Sequence, residues 1–199
     1  MPARTRPHAD QPGRLERAGL SCFRHAVTFV PAILLVAAVA YAAPEIGPHD
    51  VATLFYVAKS DDRNRVDYGV RLDASCAPIG QAPLYAYWRR FEPGQAPLGD
   101  LNVLDQRVYG IARQEVRTRA PNGTWIELAL RALPERRVLV LVRRVGDRCV
   151  GAAQTQIRGR DALLDHVFVQ LGGPARIDHV IVRGVDQLRE EPVFERIEP

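Results

Sequence analysis

Apolar and polar residues alternate one by one along much of this chain, and few folds are compatible with this period of two. In the stretch RVDYGVRLD (65–73), four apolar side chains share one face: Val66, Tyr68, Val70 and Leu72. The stretch TWIELALR (124–131) alternates in the same way. Successive side chains of a strand point to opposite faces, so this pattern predicts half-buried β-strands.

Turn residues separate the alternating runs, and Asn122-Gly123 is the strongest hairpin signal among them. The run RVLVLVRR (137–144) is apolar from Val138 to Val142, which indicates a strand that is either central or covered on both faces. Residues 98–106 could form a turn of helix. We predict an all-β fold: a single antiparallel domain of about ten strands, either a barrel-like meander or a sandwich. The candidate strands are 53–58, 65–72, 84–91, 107–117, 124–131, 137–143, 149–156, 163–171, 177–184 and 193–197.

The N-terminal residues differ in kind from the rest of the chain. Residues 1–24 contain five arginines, and an almost uncharged run follows that ends in Ala40-Tyr41-Ala42. A basic segment, an apolar core and a small-x-small exit are the parts of a secretory signal peptide. We therefore expect a signal peptide over 1–42, a short segment over 43–52 and the all-β domain over 53–199. An uncleaved leader that tethers the protein to the membrane is the alternative.

Removal of the leader changes the charge balance. The leader holds 5 of the 27 basic and 2 of the 23 acidic residues, so the remainder carries 22 and 21. Nucleic-acid binding needs a clustered basic surface, and a nearly neutral domain argues against it. We expect no nucleic-acid partner.

Two cysteines, Cys76 and Cys149, remain after Cys22 leaves with the leader. An even number in an exported chain favours a disulfide between them, and two separate thiols are the alternative. No Cys/His spacing indicates zinc. The repeated Asp-His-Val-x-Val motif at 165 and 178 offers only two histidine nitrogens. We expect no metal site and no cofactor.

The charged segment from Lys59 to Arg65 joins two alternating runs. One interpretation is a hairpin tip whose Asp and Asn side chains bind their own backbone. The other is a site at which lysine, arginine and asparagine hold an anionic group.

Aromatic residues fall at strand positions and suit either a core or a pocket with a polar end. They are Tyr56, Tyr68, Tyr85, Tyr87, Trp88 and Tyr109. Parity places Trp88 on the inner face with Leu84 and Ala86. Tyr85, Tyr87 and Arg89 should then face outward or toward a second layer.

No motif for a nucleophile elbow, a phosphate loop or a dinucleotide is present. The serines after residue 42 are Ser60 and Ser75, and Ser60 beside Lys59 would form a Ser–Lys pair only if the turn brings the two together. The enzyme hypothesis therefore places an unknown activity near the Lys59–Asn64 turn.

Several motifs together resemble a bacterial secreted family catalogued as domain of unknown function 4833. LFYVAKSDDRNRVDY is similar to its opening, PLYAYWRRFEPG to its Pro-x-x-x-Tyr-Trp segment, and VYGIA to its Tyr-Gly step. VRGVDQLREEPVFERIEP resembles its closing hairpin and last strand. The resemblance implies a secreted or envelope protein, and it carries no reaction, substrate or cofactor. Asp62 stands where the family tends to have an asparagine.

We therefore expect an exported, periplasmic or extracellular protein that is a non-catalytic binding or structural module. Its partner would be a small molecule or an envelope component, with the enzyme hypothesis as the alternative. The candidate ligand-binding residues are Tyr56, Lys59, Asn64, Tyr87, Trp88 and Tyr109.

Overall fold

A computed structural model describes residues 44–59, 63–120, 123–173 and 175–198. The expected leader, residues 60–62 of the charged segment and Asn122 lie outside these ranges. The described part contains one short helix, α1 (Val103–Tyr109), and no helix there is long and apolar enough to cross a membrane. Its strands are β1 (Val51–Lys59), β2 (Arg65–Val70), β3 (Leu84–Arg89), β4 (Leu98–Asp100), β5 (Ile111–Ala120), β6 (Gly123–Leu130), β7 (Leu133–Val145), β8 (Arg148–Ile157), β9 (Arg160–Gly173), β10 (Arg176–Asp186) and β11 (Pro192–Ile197).

The prediction of an all-β fold is confirmed, but the purely antiparallel meander is wrong. Most neighbouring strands are antiparallel, whereas β1 lies parallel to β9, with Tyr56 opposite His166 and Lys59 opposite Val169. The sheet runs β4-β3-β2-β1-β9-β8-β7-β6-β5, and β10 and β11 branch from it. A parallel pair needs a long crossover, and here the crossover is most of the domain.

Strand β9 has three neighbours and organises the whole sheet. Strand β10 pairs with it over almost its full length. On the opposite edge, β8 pairs with residues 160–163 and β1 pairs with residues 166–169. The strands β1–β4 and β5–β8 therefore leave the same edge of β9 as two wings. The sheet curls into a half-barrel, an intermediate between the barrel and the sandwich that the sequence left open.

The hydrophobic core lies on the inner face of the curled sheet. Phe55, Tyr68 and Trp88 of the first wing belong to the same buried cluster as Ile126 and Val140 of the second. Ring stacking of Phe55 on Tyr68, with centroids 4.5 Å apart, contributes to it. Period-two runs that share one apolar face supply almost all of these side chains, as the alternation predicted.

Gln114 joins the far edges of the two wings. Its side-chain oxygen accepts from the Leu84 N–H at 2.8 Å, and its Nε2 donates to the Leu84 carbonyl at 3.1 Å. A side-chain amide here makes both hydrogen bonds that a neighbouring strand would make with Leu84. The bridge fixes β3 beside β5 where no backbone ladder joins them.

The helix is the second correction. Residues 98–106 were expected to include a turn of helix and 107–117 a strand, but β4 occupies 98–100 and α1 extends to Tyr109. Asn102 caps α1, because its side chain accepts from the N–H groups of Leu104 and Asp105, and the Asp105 carboxylate accepts from Asn102 N–H at 3.4 Å. This capping box stabilises the helix start and delays the strand to Ile111.

Tight turns connect β7 to β8 and β8 to β9. Arg158 and Gly159 between β8 and β9 both have positive φ, 51° and 73°, as a type I′ hairpin turn requires. Gly146 takes φ 62° between β7 and β8. These turns hold their strands in register, and the hairpin expected around Asn122-Gly123 is present as the β5–β6 pair.

Cys76 and Cys149 form the disulfide that the sequence favoured, with Cα atoms 5.4 Å apart. The bond joins the β2–β3 connection to the start of β8, 73 residues along the chain. Arg144 donates to the carbonyl of Ala74 in the same connection. The disulfide thus links the two wings at a second point, in addition to the Gln114 bridge.

Replacement of both cysteines by serine should lower the free energy of unfolding by about 2–4 kcal/mol, because the bond closes a long loop in the unfolded chain. Urea titration of the oxidised wild type and the double variant measures the difference, with reduced wild type as the matched control. Two thiols that react in oxidised protein, unfolded without reductant, would show that the bond does not form.

Candidate functional site

A buried carboxylate lies on the outer face of the first wing, opposite the core. Asp67 of β2 has no exposed surface. Its Oδ1 accepts from Arg65 Nε at 2.8 Å, and its Oδ2 accepts from Arg89 Nε at 2.5 Å and Thr53 Oγ1 at 3.0 Å. A buried charge is stable when it is paired and hydrogen-bonded. We call Arg65 and Arg89, held together by Asp67, the arginine pair.

Strand β1 covers Asp67 through a bulge near its start, where Thr53 donates to the Asp67 carboxylate. Between the pairs Val51–Val70 and Phe55–Tyr68, β1 has three residues where β2 has only Gly69. This bulge places the Ala52 carbonyl 2.5 Å from the hydroxyl of Tyr87, which donates to it. Bulges bend a strand and redirect its neighbours, and both Asp67 and Tyr87 are fully buried beside this one.

Gly69 allows this close packing. A Cβ at this position would lie 2.7 Å from the ring of Tyr85 and 2.9 Å from the Val51 carbonyl oxygen. Tyr85 therefore packs directly over the backbone of β2, and Arg71 lies 4.9 Å above the Tyr85 ring. Tyr85 and Tyr87 consequently lie in a second, partly polar layer and not in solvent.

The outer ends of the arginine pair point toward aromatic rings and solvent. The guanidinium of Arg65 lies 4.4 Å from the Tyr56 ring centroid and 5.5 Å from that of Phe91. Arg89 donates through Nη2 to the Tyr87 hydroxyl at 3.0 Å. The hydrogen bond to Asp67 raises the pKa of Arg89 further above its ordinary value. Both side chains are 31% exposed, so charged groups remain accessible beside an aromatic surface.

Asn64 fixes the base of the β1–β2 tip. It is buried, and its Oδ1 accepts from the backbone N–H of Phe91 at 3.0 Å. This bond ties the tip to the β3–β4 connection and so positions Phe91 near Arg65. Lys59 ends β1 at the same end of the sheet. Ser60, the nucleophile of the enzyme hypothesis, lies outside the described residues, and that hypothesis stays a prediction.

Tyr56 continues the surface onto β9. Its ring stacks on His166 with centroids 4.9 Å apart, and His166 Nδ1 lies 2.8 Å from Asp165 Oδ2. Burial, followed by the charge of Asp165, raises the pKa of the Tyr56 hydroxyl. On the next strand, Arg183 of β10 lies opposite His166. Tyr56 is therefore the centre of an outer-face row that runs from the arginine pair across β1.

The two Asp-His repeats do not converge. His166 lies opposite Arg183, and His179 lies opposite Gln170, four residues further along β9. At about 3.3 Å per residue, the two histidines are about 13 Å apart along the strands. His179 instead lies 2.9 Å from the carboxylate of its neighbour Asp178. No group of three metal-ligating side chains occurs among the described residues.

Trp88 and Tyr109 lie on the opposite side of the sheet from Tyr56. Trp88 is 8% exposed, packs in the core, and donates through Nε1 to Asp105 Oδ2 at 2.8 Å. Tyr109 meets the Trp88 ring edge-on at 5.7 Å, and its carbonyl accepts from the buried hydroxyl of Tyr68. The parity argument for Trp88 is confirmed.

The structure thus divides the six candidate residues into two groups. Tyr56, Asn64 and Tyr87 lie around the arginine pair, with Lys59 at the same end, whereas Trp88 and Tyr109 connect the core to α1. Asp67 and Arg89 are absent from the sequence-based candidates, and Arg65 entered them only as the last residue of the charged segment. Their signal was the Arg-x-Asp spacing on the polar face of β2, which is informative only once β3 is known to be its neighbour.

The family comparison agrees with the resemblance drawn from the motifs. The model of a family described as a domain of unknown function, DUF4833, matches residues 55–196. The chain belongs to this family. No curated protein and no solved structure gave a significant match. The DUF4833 domain contains β1 from Phe55 onward, the arginine pair, α1 and all of β9 and β10.

Replacement of Trp88 by alanine should destabilise the domain by about 3–5 kcal/mol, as for a large aromatic residue removed from a core. Trp88→Phe should cost less, because it keeps most of the packing and loses mainly the bond to Asp105. Phe91→Ala, at a ring that is 54% exposed, is the control and should change stability little. Chemical unfolding measures the free energy of unfolding of the three variants. Equal losses of stability in Trp88→Ala and Phe91→Ala would contradict the core assignment.

Proposed function

We propose that this DUF4833 domain is a non-catalytic binding module of the periplasm or cell envelope, and that it binds a ligand with an anionic group at the arginine pair. The observation that carries the proposal is the fixed orientation of two guanidinium groups by one fully buried carboxylate. The Nε atoms of Arg65 and Arg89 both donate to Asp67. Within the described part of the chain, neither Nη atom of Arg65 forms a hydrogen bond. These donors are therefore available to a ligand.

Charge and preorganisation favour an anion. Two arginines and one aspartate leave the cluster with one net positive charge, and Lys59 adds another at the same end. Guanidinium groups bind carboxylate and phosphate through paired hydrogen bonds. Because Asp67 already fixes both side chains, a ligand loses little side-chain entropy when it binds them.

The rings beside Arg65 indicate an aromatic or otherwise flat apolar part next to the anionic group. Tyr56 and Phe91 both contact the Arg65 guanidinium, and Phe91 is 54% exposed. A ligand seated on the guanidinium would touch these rings as well. Small aromatic acids and anionic envelope components both satisfy this chemistry.

Two features support export. The leader has the three parts of a signal peptide, and disulfides such as Cys76–Cys149 persist in oxidising compartments. The domain would therefore meet its ligand outside the cytoplasm.

Phenyl phosphate is a probe of this site, with inorganic phosphate and phenol as its two halves. Phenyl phosphate should bind with a dissociation constant near or below about 1 mM and more tightly than either half, because the arginine pair and the rings contribute together. Calorimetry gives the affinities, and amide NMR shifts should be largest around Arg65 and Tyr56.

The variant Arg65→Lys keeps a charge beside Asp67 but loses the planar guanidinium, and it should bind at least about tenfold more weakly. Arg158→Gln is the matched control, since Arg158 also lies over a ring, that of Phe194 at 4.9 Å, without a buried carboxylate. Equal affinities in wild type and Arg65→Lys, or no saturable binding of phenyl phosphate, would reject the anion site.

Export has its own test. Protein recovered from the cell envelope should begin at Ala43, or within a residue or two of it, when its N-terminus is sequenced. A version without residues 2–42 should stay in the cytoplasm and serves as the control. Recovery of the intact chain from the cytoplasm of cells that express the full gene would contradict the localisation.

A further inference from the structure

Strands β7 and β8 separate at one end and leave a gap in the sheet. They pair regularly from Val145–Arg148 to Leu139–Gln154, and no pair follows. Beyond that point β7 continues beside β6 and β8 continues beside β9. We call the wedge between Leu133–Val138 and Thr155–Ile157 the β7–β8 groove.

An irregularity in β7 explains the separation. Ala129 pairs with Arg137 and Leu130 pairs with Leu133, so three β7 residues between these pairs have no counterpart on β6. The first of the three is Pro134, which has no N–H to donate to a ladder. A bulge of this kind bends β7 away from β8.

The groove has the size and lining of a binding site. It encloses about 890 Å³, within the range of known ligand sites. Leu133, Leu139 and Ile197 provide apolar surface. Its charged lining comprises four carboxylates and two guanidinium groups: Glu135, Asp161, Glu195, Glu198, Arg136 and Arg137. The lining therefore favours an apolar partner that carries positive charge.

Backbone groups that a strand would pair face into the groove. At the register of Leu139 and Gln154, Val138 and Thr155 would pair next, and Arg137 and Gln156 would form the next pair that exchanges backbone hydrogen bonds. Instead, the Arg137 carbonyl accepts from Thr155 Oγ1 at 2.8 Å, and the Gln156 carbonyl accepts from the Arg136 guanidinium. In an antiparallel strand the N–H and C=O of one residue point to the same side. The N–H groups of Arg137 and Gln156 therefore point into the groove with their carbonyls.

We propose that the β7–β8 groove binds an extended, basic, apolar peptide segment, which pairs as an added strand with the edges of β7 and β8. This mode of recognition takes its affinity from main-chain hydrogen bonds and its specificity from alternate side chains. In this structure the side chains of Thr155 and Arg136 bridge the two edges through these carbonyls. The N–H groups of the incoming strand replace both bonds, and β7 and β8 move apart to the spacing that an inserted strand needs. The site is independent of the arginine pair, which lies on the other wing.

A tethered strand tests the proposal at high effective concentration. Glu198 lines the groove, so a tail of sequence Lys-Val-Thr-Val-Lys-Val is joined after the last residue through a flexible Gly-Ser linker. The control tail, Lys-Pro-Thr-Pro-Lys-Pro, keeps the charge but has a proline, and so no N–H, at every second position. Hydrogen exchange then reports on the Arg137 and Gln156 amides.

The valine tail should slow exchange of these two amides at least about tenfold relative to the proline tail. In the valine-tailed protein, Leu139→Glu should abolish that protection, because it places a charge against the apolar side of the strand. Val145→Glu is the matched control, since Val145 is another exposed apolar residue of β7, 52% accessible against 40% for Leu139, outside the groove. Equal exchange with both tails, or protection that survives Leu139→Glu but not Val145→Glu, would overturn the proposal.

Discussion

Strands β8 and β1 share one edge of β9, and this arrangement determines where the first wing bends and which of its residues are buried. Because β8 already occupies residues 160–163, the start of β1 cannot continue along β9 and must diverge. The divergence produces the bulge after Val51, and the bulge covers Asp67 and Tyr87 on what would otherwise be a solvated face. A pairing choice at β9 thus creates the low-exposure environment of the candidate site on a neighbouring strand.

Asp67 converts that environment into a binding geometry. An isolated buried carboxylate is costly, and two guanidinium groups with a threonine hydroxyl offset the cost. The same bonds fix Arg65 and Arg89 relative to each other, so the contacts that stabilise the buried carboxylate also orient two partly exposed guanidinium groups. The β7–β8 groove differs from this site in its donors, which are backbone groups that a bulge has separated from their partner strand.

The regular alternation of apolar and polar residues made much of the fold predictable. Strands such as β2 and β6 follow from period-two alternation, which reports one buried face whatever that face packs against. The helix was misplaced because its signal, the Asn102–Asp105 capping box, is short, and because Val103, Leu104 and Val108 fit a strand as well as a helix by composition. For the candidate site, Tyr56, Asn64 and Tyr87 were found as polar or aromatic residues near a turn. Trp88 and Tyr109 were grouped with them although parity alone separates Trp88 from Tyr87.

Sequence patterns were sufficient to predict the strand-rich architecture, the inner position of Trp88 and the pairing of Cys76 with Cys149. These depend on side-chain parity, composition and chain order, which are local quantities. The three-dimensional structure was needed to show that β1 lies parallel to β9, that Arg65, Asp67 and Arg89 meet, and that β7 separates from β8. Each of these depends on pairing between distant parts of the chain, and a strand with an apolar face can pair with any of several neighbours. The choice among them depends on how the two wings close over one core, which no short stretch of the chain encodes.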